Sequence, residues 1–159
     1  MKKTFLLSLF TFVFAVTNLY AQENFQDESL ALMEDIARNS KEKNIVEFLT
    51  KAKFTKVSES EEGGAKSYYF AGPNSAAIKV DYNKSKKLMN VIMIVSSNFG
   101  KLPFMQTDLM RHDFKNYKYD NFKWEKDSYP FQYLTTEDEN DHSQAFVYLI
   151  TKESEHYKK

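Results

Sequence analysis

From residue 26 onward the apolar positions fall first at helical spacing and then at strand spacing. In QDESLALMEDIAR (26–38), Leu30, Met33, Ile36 and Ala37 recur at steps of three and four, and Asp27, Glu28 and Ser29 favour the start of a helix there. Asn39-Ser40 interrupts the pattern, and Ser40 is placed to cap the next helical segment. In KEKNIVEFLTKAKF (41–54), Ile45, Phe48, Leu49 and Ala52 repeat the spacing, which predicts a second helix.

From Phe54 the period changes to two. FTKVSES and AKSYYFAG flank EEGG, whose adjacent glycines supply the positive φ of a tight hairpin. GPNS (72–75) predicts a second turn. SAAIKVDY then sets Ile78, Val80 and Tyr82 on one face against Lys79 and Asp81 on the other. After NKSKK, LMNVIMIVSS is apolar on both faces except at Asn90, the mark of a central strand covered by helices on at least one side. A third helix is expected near Pro103, with Leu102, Met105, Leu109, Met110, Phe114 and Tyr117 on its broad apolar side and Gln106 and Asp113 in the middle of that side. NFKWEK, YPFQYLT and QAFVYLIT read as three further strands, and KESEHYKK as a charged, fraying tail. The order α-α-β-β-β-β-α-β-β-β predicts an α+β fold: an antiparallel sheet of about seven strands with two or three helices on one face. A helix-then-meander arrangement occurs twice, with no repeat visible residue by residue.

Residues 1–21 stand apart from this pattern. Lys2 and Lys3 precede an apolar run from Phe5 to Val16, and a more polar stretch ends on Ala21, the layout of a cleaved secretory leader. The run is about twelve residues, short of the roughly twenty that a spanning helix needs. The expected organisation is a leader at 1–21, one α+β domain at 22–152 and a tail at 153–159, in a periplasmic or extracellular protein with no stable membrane insertion once the leader is removed. The sequence contains no cysteine, so such a domain must be held by packing alone.

Charge and chemistry narrow the functional classes. Without Lys2 and Lys3, the 22 basic residues fall to 20 against 22 acidic ones, which argues against binding by bulk charge. The stretch DFKNYKYDNFKWEKDSYPFQYL (113–134) interleaves lysines with aromatics as a single-stranded nucleic-acid platform does. Its four lysines are balanced by Asp113, Asp120, Glu125 and Asp127, so no nucleic acid is expected. Alternation puts Phe122 and Trp124 on one sheet face, and Tyr129, Phe131 and Tyr133 on one face of the next strand. Phe122 and Trp124 suit a core; Tyr129 and Tyr133, with hydroxyls that want polar partners, suit the wet edge of an interface.

Trp124, Tyr129, Phe131 and Tyr133 are therefore the candidate binding residues of a non-enzymatic protein whose partner is another protein or a small ligand. Two alternatives come from other residues. Asp108, His112 and Asp113 could serve a small hydrolase or metal-dependent enzyme, although no nucleophile elbow, phosphate loop or paired-histidine metal motif is present. Met89, Met93, Met105 and Met110 could line a pocket for a small apolar ligand between sheet and helices. The acidic loop Glu137–His142 offers oxygen ligands but lacks the glycine and distal glutamate of a calcium loop. No metal or cofactor is expected. Asn83-Lys84-Ser85 fits a glycosylation acceptor and equally a turn.

Overall fold

A computed structural model describes residues 22–96, 100–116, 122–137 and 143–157. Helix α1 spans Glu28–Asn39. Asp27 is its N-cap, its Oδ1 accepting the N–H of Ser29 (2.8 Å) and Leu30 (3.1 Å). Its buried stripe is Leu30, Met33 and Ile36, the spacing read from the sequence. Ser40 closes this helix rather than opening the next: its hydroxyl and its N–H both donate to the Ile36 carbonyl, at 2.6 and 3.0 Å. A 3-10 turn, Glu42–Asn44, leads into the short helix α2, Ile45–Lys51, which buries Ile45 and Leu49.

Four strands follow as a meander: β1 Thr55–Glu62, β2 Ala65–Ala71, β3 Ala77–Tyr82 and β4 Leu88–Ser96. Gly63 and Gly64, at φ 58° and 81°, make the first hairpin turn that the sequence called for. Helix α3, Lys101–Arg111, is followed by β5 Lys115–Asn116, β6 Phe122–Glu125, β7 Phe131–Glu137 and β8 Gln144–Thr151. The strands form one antiparallel sheet of eight in the order β1-β2-β3-β4-β8-β7-β6-β5. The extra strand relative to expectation is β5, whose two residues are too few to show alternation. The expected apolar side of α3 is also narrower than the sequence suggested. Leu102, Met105, Asp108 and Leu109 are buried, Met110 is exposed, and Phe114 lies past the helix end.

The strand order joins two four-strand meanders at their last members, β4 and β8, paired from Asn90↔Ile150 to Ser96↔Gln144. The helices that open the two halves end in the same way. Phe54 N–H donates to the Leu49 carbonyl (2.9 Å) and Lys53 N–H to that of Thr50 (3.0 Å); Phe114 N–H donates to Leu109 and Asp113 N–H to Met110, both at 3.1 Å. Each pair is a Schellman closure, with Lys53 (φ 66°) and Asp113 (φ 63°) at the left-handed position that glycine prefers. In each case the next residue is a buried phenylalanine that turns the chain into the first strand of its meander. The chain thus uses one helix–turn–meander unit twice, marked in sequence only by Leu and Phe five residues apart.

One face of the sheet meets the helices. Phe70, Ile78, Val80, Val91, Met93, Val95, Tyr133, Ala145, Val147 and Leu149 pack there beneath Leu30, Met33, Ile36, Met105 and Leu109. At the β7 end Phe25, Phe114, Tyr129 and Tyr133 meet edge to face or tilted, Phe114 lying 5.1 Å from Tyr129 and 5.2 Å from Tyr133 between ring centroids. Beyond β8 the chain makes turns through His156. Ser154 is buried, its N–H donates to the Thr151 carbonyl (3.0 Å), and Glu153 pairs with Lys87 (3.0 Å).

Candidate functional site

The aromatic residues singled out from the sequence alternate as expected, but on the covered face. Trp124, Tyr129, Phe131 and Tyr133 are 5, 6, 8 and 0% exposed, so they are core rather than a presented surface. Phe122, expected inside, is 47% exposed at the start of its strand. The polar ends of the buried rings explain how they tolerate burial. Trp124 Nε1 donates to Thr135 Oγ1 (3.0 Å), and the Tyr129 hydroxyl donates to Glu34 Oε1 and accepts from Arg38 (3.0 Å).

Among the described residues no helix covers the opposite face. On β4 and β8 its side chains are Ile92 and Ile94 beside Tyr148 and Phe146, paired Ile92↔Tyr148 and Ile94↔Phe146. The same rows continue outward to Leu134 and Thr136 on β7 and to Lys79 and Ala77 on β3, then to Tyr69 and Ala71 on β2. Phe146 and Tyr148 lie 6.4 Å apart between ring centroids. These apolar side chains are half-buried, and Tyr69 is exposed. Burial raises the Tyr148 phenol above its usual range, while Lys79 acts the other way. On either side stands a lysine–carboxylate pair two residues apart on one strand: Lys79–Asp81 (3.1 Å) on β3 and Lys123–Glu125 on β6. An apolar, aromatic centre over β4, β8 and β7 is therefore framed by ion pairs of both signs.

The residues suggested for catalysis do come partly together. Asp108 is fully buried, its Oδ2 accepting the Asp27 N–H (2.9 Å) and its Oδ1 3.8 Å from His112 Nε2. His112 Nδ1 lies 2.9 Å from Glu23 Oε2, whose other oxygen meets Lys126 Nζ at 2.5 Å. Lys101 pairs with the buried Asp27, and the Arg111 guanidinium donates to Gln26 (2.9 Å). Asp113 is not part of this group; it is exposed at the left-handed turn. Glu23, Gln26 and Asp27 sit on one short segment ahead of α1, so the network clasps that segment to α3 and to the loop after β6.

Next to it Glu34, fully buried, receives the Arg38 guanidinium (2.7 Å) and the Tyr129 hydroxyl on one oxygen. Burial raises the Tyr129 and Tyr133 phenols well above their usual range, and the Glu34 carboxylate pushes both further in that direction. Burial alone would lower the Arg38 guanidinium; its bonds to Tyr129 and Glu34 outweigh that and raise it.

Among the described residues, two of the clefts lie elsewhere, and neither is lined by Asp108, His112 or Asp113. One, about 480 Å³, lies between the N-terminal ends of α1 and α3, the end of α2, the β2–β3 turn and β4. Of the four methionines suggested as pocket lining, Met93 alone lines it; Met105 is core and Met110 is exposed. The other, about 550 Å³, is charged, with Lys41, Lys43, Lys56 and Lys86 around Glu42, Glu59 and the Tyr68 ring. Among the described residues no group of three or more His, Asp or Glu is placed to hold a metal ion, and no helix is long and apolar enough to cross a membrane. Residues 138–142 of the acidic loop lie outside the described residues. Asn83 Oδ1 accepts the N–H of Ser85 (2.9 Å) and Lys87 (3.1 Å), so turn chemistry accounts for it.

Sequence reasoning missed the open-face patch because QAFVYLIT and LMNVIMIV are apolar on both faces; the aromatic pair Phe146 and Tyr148, facing away from Val147, was the available signal. The buried carboxylates of Glu34 and Asp108 gave none beyond Arg38 four residues after Glu34. Compared with protein-family models, curated proteins and solved structures, the chain has no match.

Proposed function

We propose that this chain is an exported, non-enzymatic binding protein whose partner is another protein, docked on the open face of the sheet. The observation that supports it is the patch of Ile92, Ile94, Leu134, Phe146 and Tyr148, left uncovered by the helices among the described residues and bounded by the Lys79–Asp81 and Lys123–Glu125 pairs. That is the anatomy of an interface: a small apolar, aromatic centre carries affinity while a polar rim of both signs sets orientation. A protein suits the patch better than a nucleic acid or an anionic membrane, because the rim charges cancel and supply no field. The leader-like residues 1–21 support an encounter outside the cytoplasm.

Truncating an aromatic anchor at the centre of an interface costs on the order of 2 kcal/mol or more. The double substitution F146S/Y148S should therefore dissociate a natural complex while leaving the helix-covered core untouched. Native extracts of the producing cell, separated by size, should show the wild-type chain in a larger assembly and the variant at monomer size. Identical elution of the two chains would sink the proposal, and an assembly holding only this chain would identify the partner as a second copy.

A further inference from the structure

We infer that the cleft between the N-terminal ends of α1 and α3 is a second binding site, distinct from the open sheet face, that takes a small carboxylate with an apolar body. Its volume of about 480 Å³ is within the range of small-molecule sites, roughly 300–1,000 Å³. The apolar part of the lining comes from Leu32, Phe54, Ala76, Met93 and Val95, contributed by separate parts of the chain. Such a lining suits an alkyl or aryl body.

The rim assigns the other end of the ligand. Lys101, the first residue of α3, lines the cleft with its side chain about one-third exposed while one of its three N–H donors is engaged by the buried Asp27. Ser29 adds a hydroxyl from the first turn of α1, whose N-terminal end carries partial positive charge. Lys101 already holds one carboxylate, that of Asp27, and its spare donors suit a second. Glu28 also stands on the rim, but it is exposed, where water screens its charge. With its charge already met by Asp27, the ammonium offers its remaining N–H donors at the edge of an apolar floor, which an anionic head can accept and a cationic one cannot.

The backbone around the cleft is also unusual. Lys53, Asn74 and Ser75 are non-glycine residues at φ 66°, 55° and 61°, and Gly100 stands at 86° just before Lys101. Lys53 serves the closure of α2 and Gly100 is unstrained as a glycine, so the strained segment at the cleft is the Asn74–Ser75 turn, whose Asn74 lines it. Phe54 is set by close approach as well: a Cβ on Gly72 would lie 2.2 Å from its ring, so the ring packs directly on the glycine backbone.

The test is calorimetric titration of the mature protein with octanoate, octylammonium and octanol. Octanoate should bind saturably and at least ten-fold more tightly than the other two. The variant A52L, which adds a branched side chain to the lining at the residue that follows α2, should weaken octanoate at least ten-fold. F146S/Y148S should bind it as the wild type does, which separates this site from the sheet face. Equal binding of octanol and octanoate, tighter binding of octylammonium, failure of all three to bind, or an unchanged A52L would each overturn the inference.

Discussion

Lys53 and Asp113 occupy the left-handed position that ends α2 and α3, and replacing each by glycine should stabilise the protein. An L-residue with a Cβ in that region is strained by roughly 1–2 kcal/mol. Glycine removes the strain but gives the unfolded chain more freedom to lose, about 0.4–1 kcal/mol. The balance is a gain of about 0.5–1 kcal/mol for K53G, whose side chain makes no hydrogen bond or ion pair among those described and is exposed. D113G should gain less, because aspartate tolerates the left-handed region better than lysine. The two turns lie in separate halves of the fold, so K53G/D113G should approach the sum. Urea unfolding followed by far-UV circular dichroism measures the effect as a shift of midpoint at constant slope. E47G supplies the contrast: glycine in the interior of α2 should destabilise by about 1 kcal/mol. If K53G were neutral or destabilising at unchanged slope, the account of the repeated turn as a strained Schellman closure would be wrong.

Other consequences of the packing can be checked in the same assay. Gly72→Ala drives a methyl into the Phe54 ring and should cost about 1–3 kcal/mol as overpacking. Tyr129→Phe removes the hydroxyl that bridges Glu34 and Arg38 and should cost about 1–3 kcal/mol, whereas Tyr133→Phe removes a buried hydroxyl with no partner among the described residues and should be neutral or mildly stabilising. Equal losses for the two would show that Tyr133 has a partner of its own. In alkaline titration, the buried Tyr82 phenol is pushed up to about 12 by desolvation and Tyr129 and Tyr133 are raised as well, against an unfolded value of about 10. Burial favours the neutral form, so the stability these three contribute is complete below pH 10 and is lost as pH rises above it, that of Tyr82 through about 12. Phenolate absorbance should therefore appear in two stages, the second coinciding with unfolding; a single stage near pH 10 with the fold intact would refute their burial.

Much of the architecture was legible because periodicity follows directly from burial. The spacing of Leu30, Met33 and Ile36 marked α1, alternation of Ile78, Val80 and Tyr82 marked β3, and the doubly apolar run at 91–95 marked the central strand. Alternation sorts residues into two faces without saying which face the helices cover. Tyr129, Phe131 and Tyr133 were grouped correctly on one face and then taken for a presented surface, since tyrosine hydroxyls read as wet edges when the actual partners of Tyr129 were Glu34 and Arg38, some ninety residues away in sequence; Trp124, read both as core and as a binding candidate, is core. The same distance hides the clasp of Glu23 and Asp27 on His112, Lys126 and Lys101. The twice-used helix–meander arrangement was visible as an order of elements but not residue by residue, because its halves share a turn geometry and two residue types, not a run of sequence.

The central claim, that a protein partner docks on the open face of the sheet, is tested most directly by photo-cross-linking in the producing cell with the probe at position 148. The control places it at position 133, buried on the covered face. The account predicts a discrete protein adduct from position 148 and none from position 133. No adduct from position 148, or the same pattern from both, would contradict it.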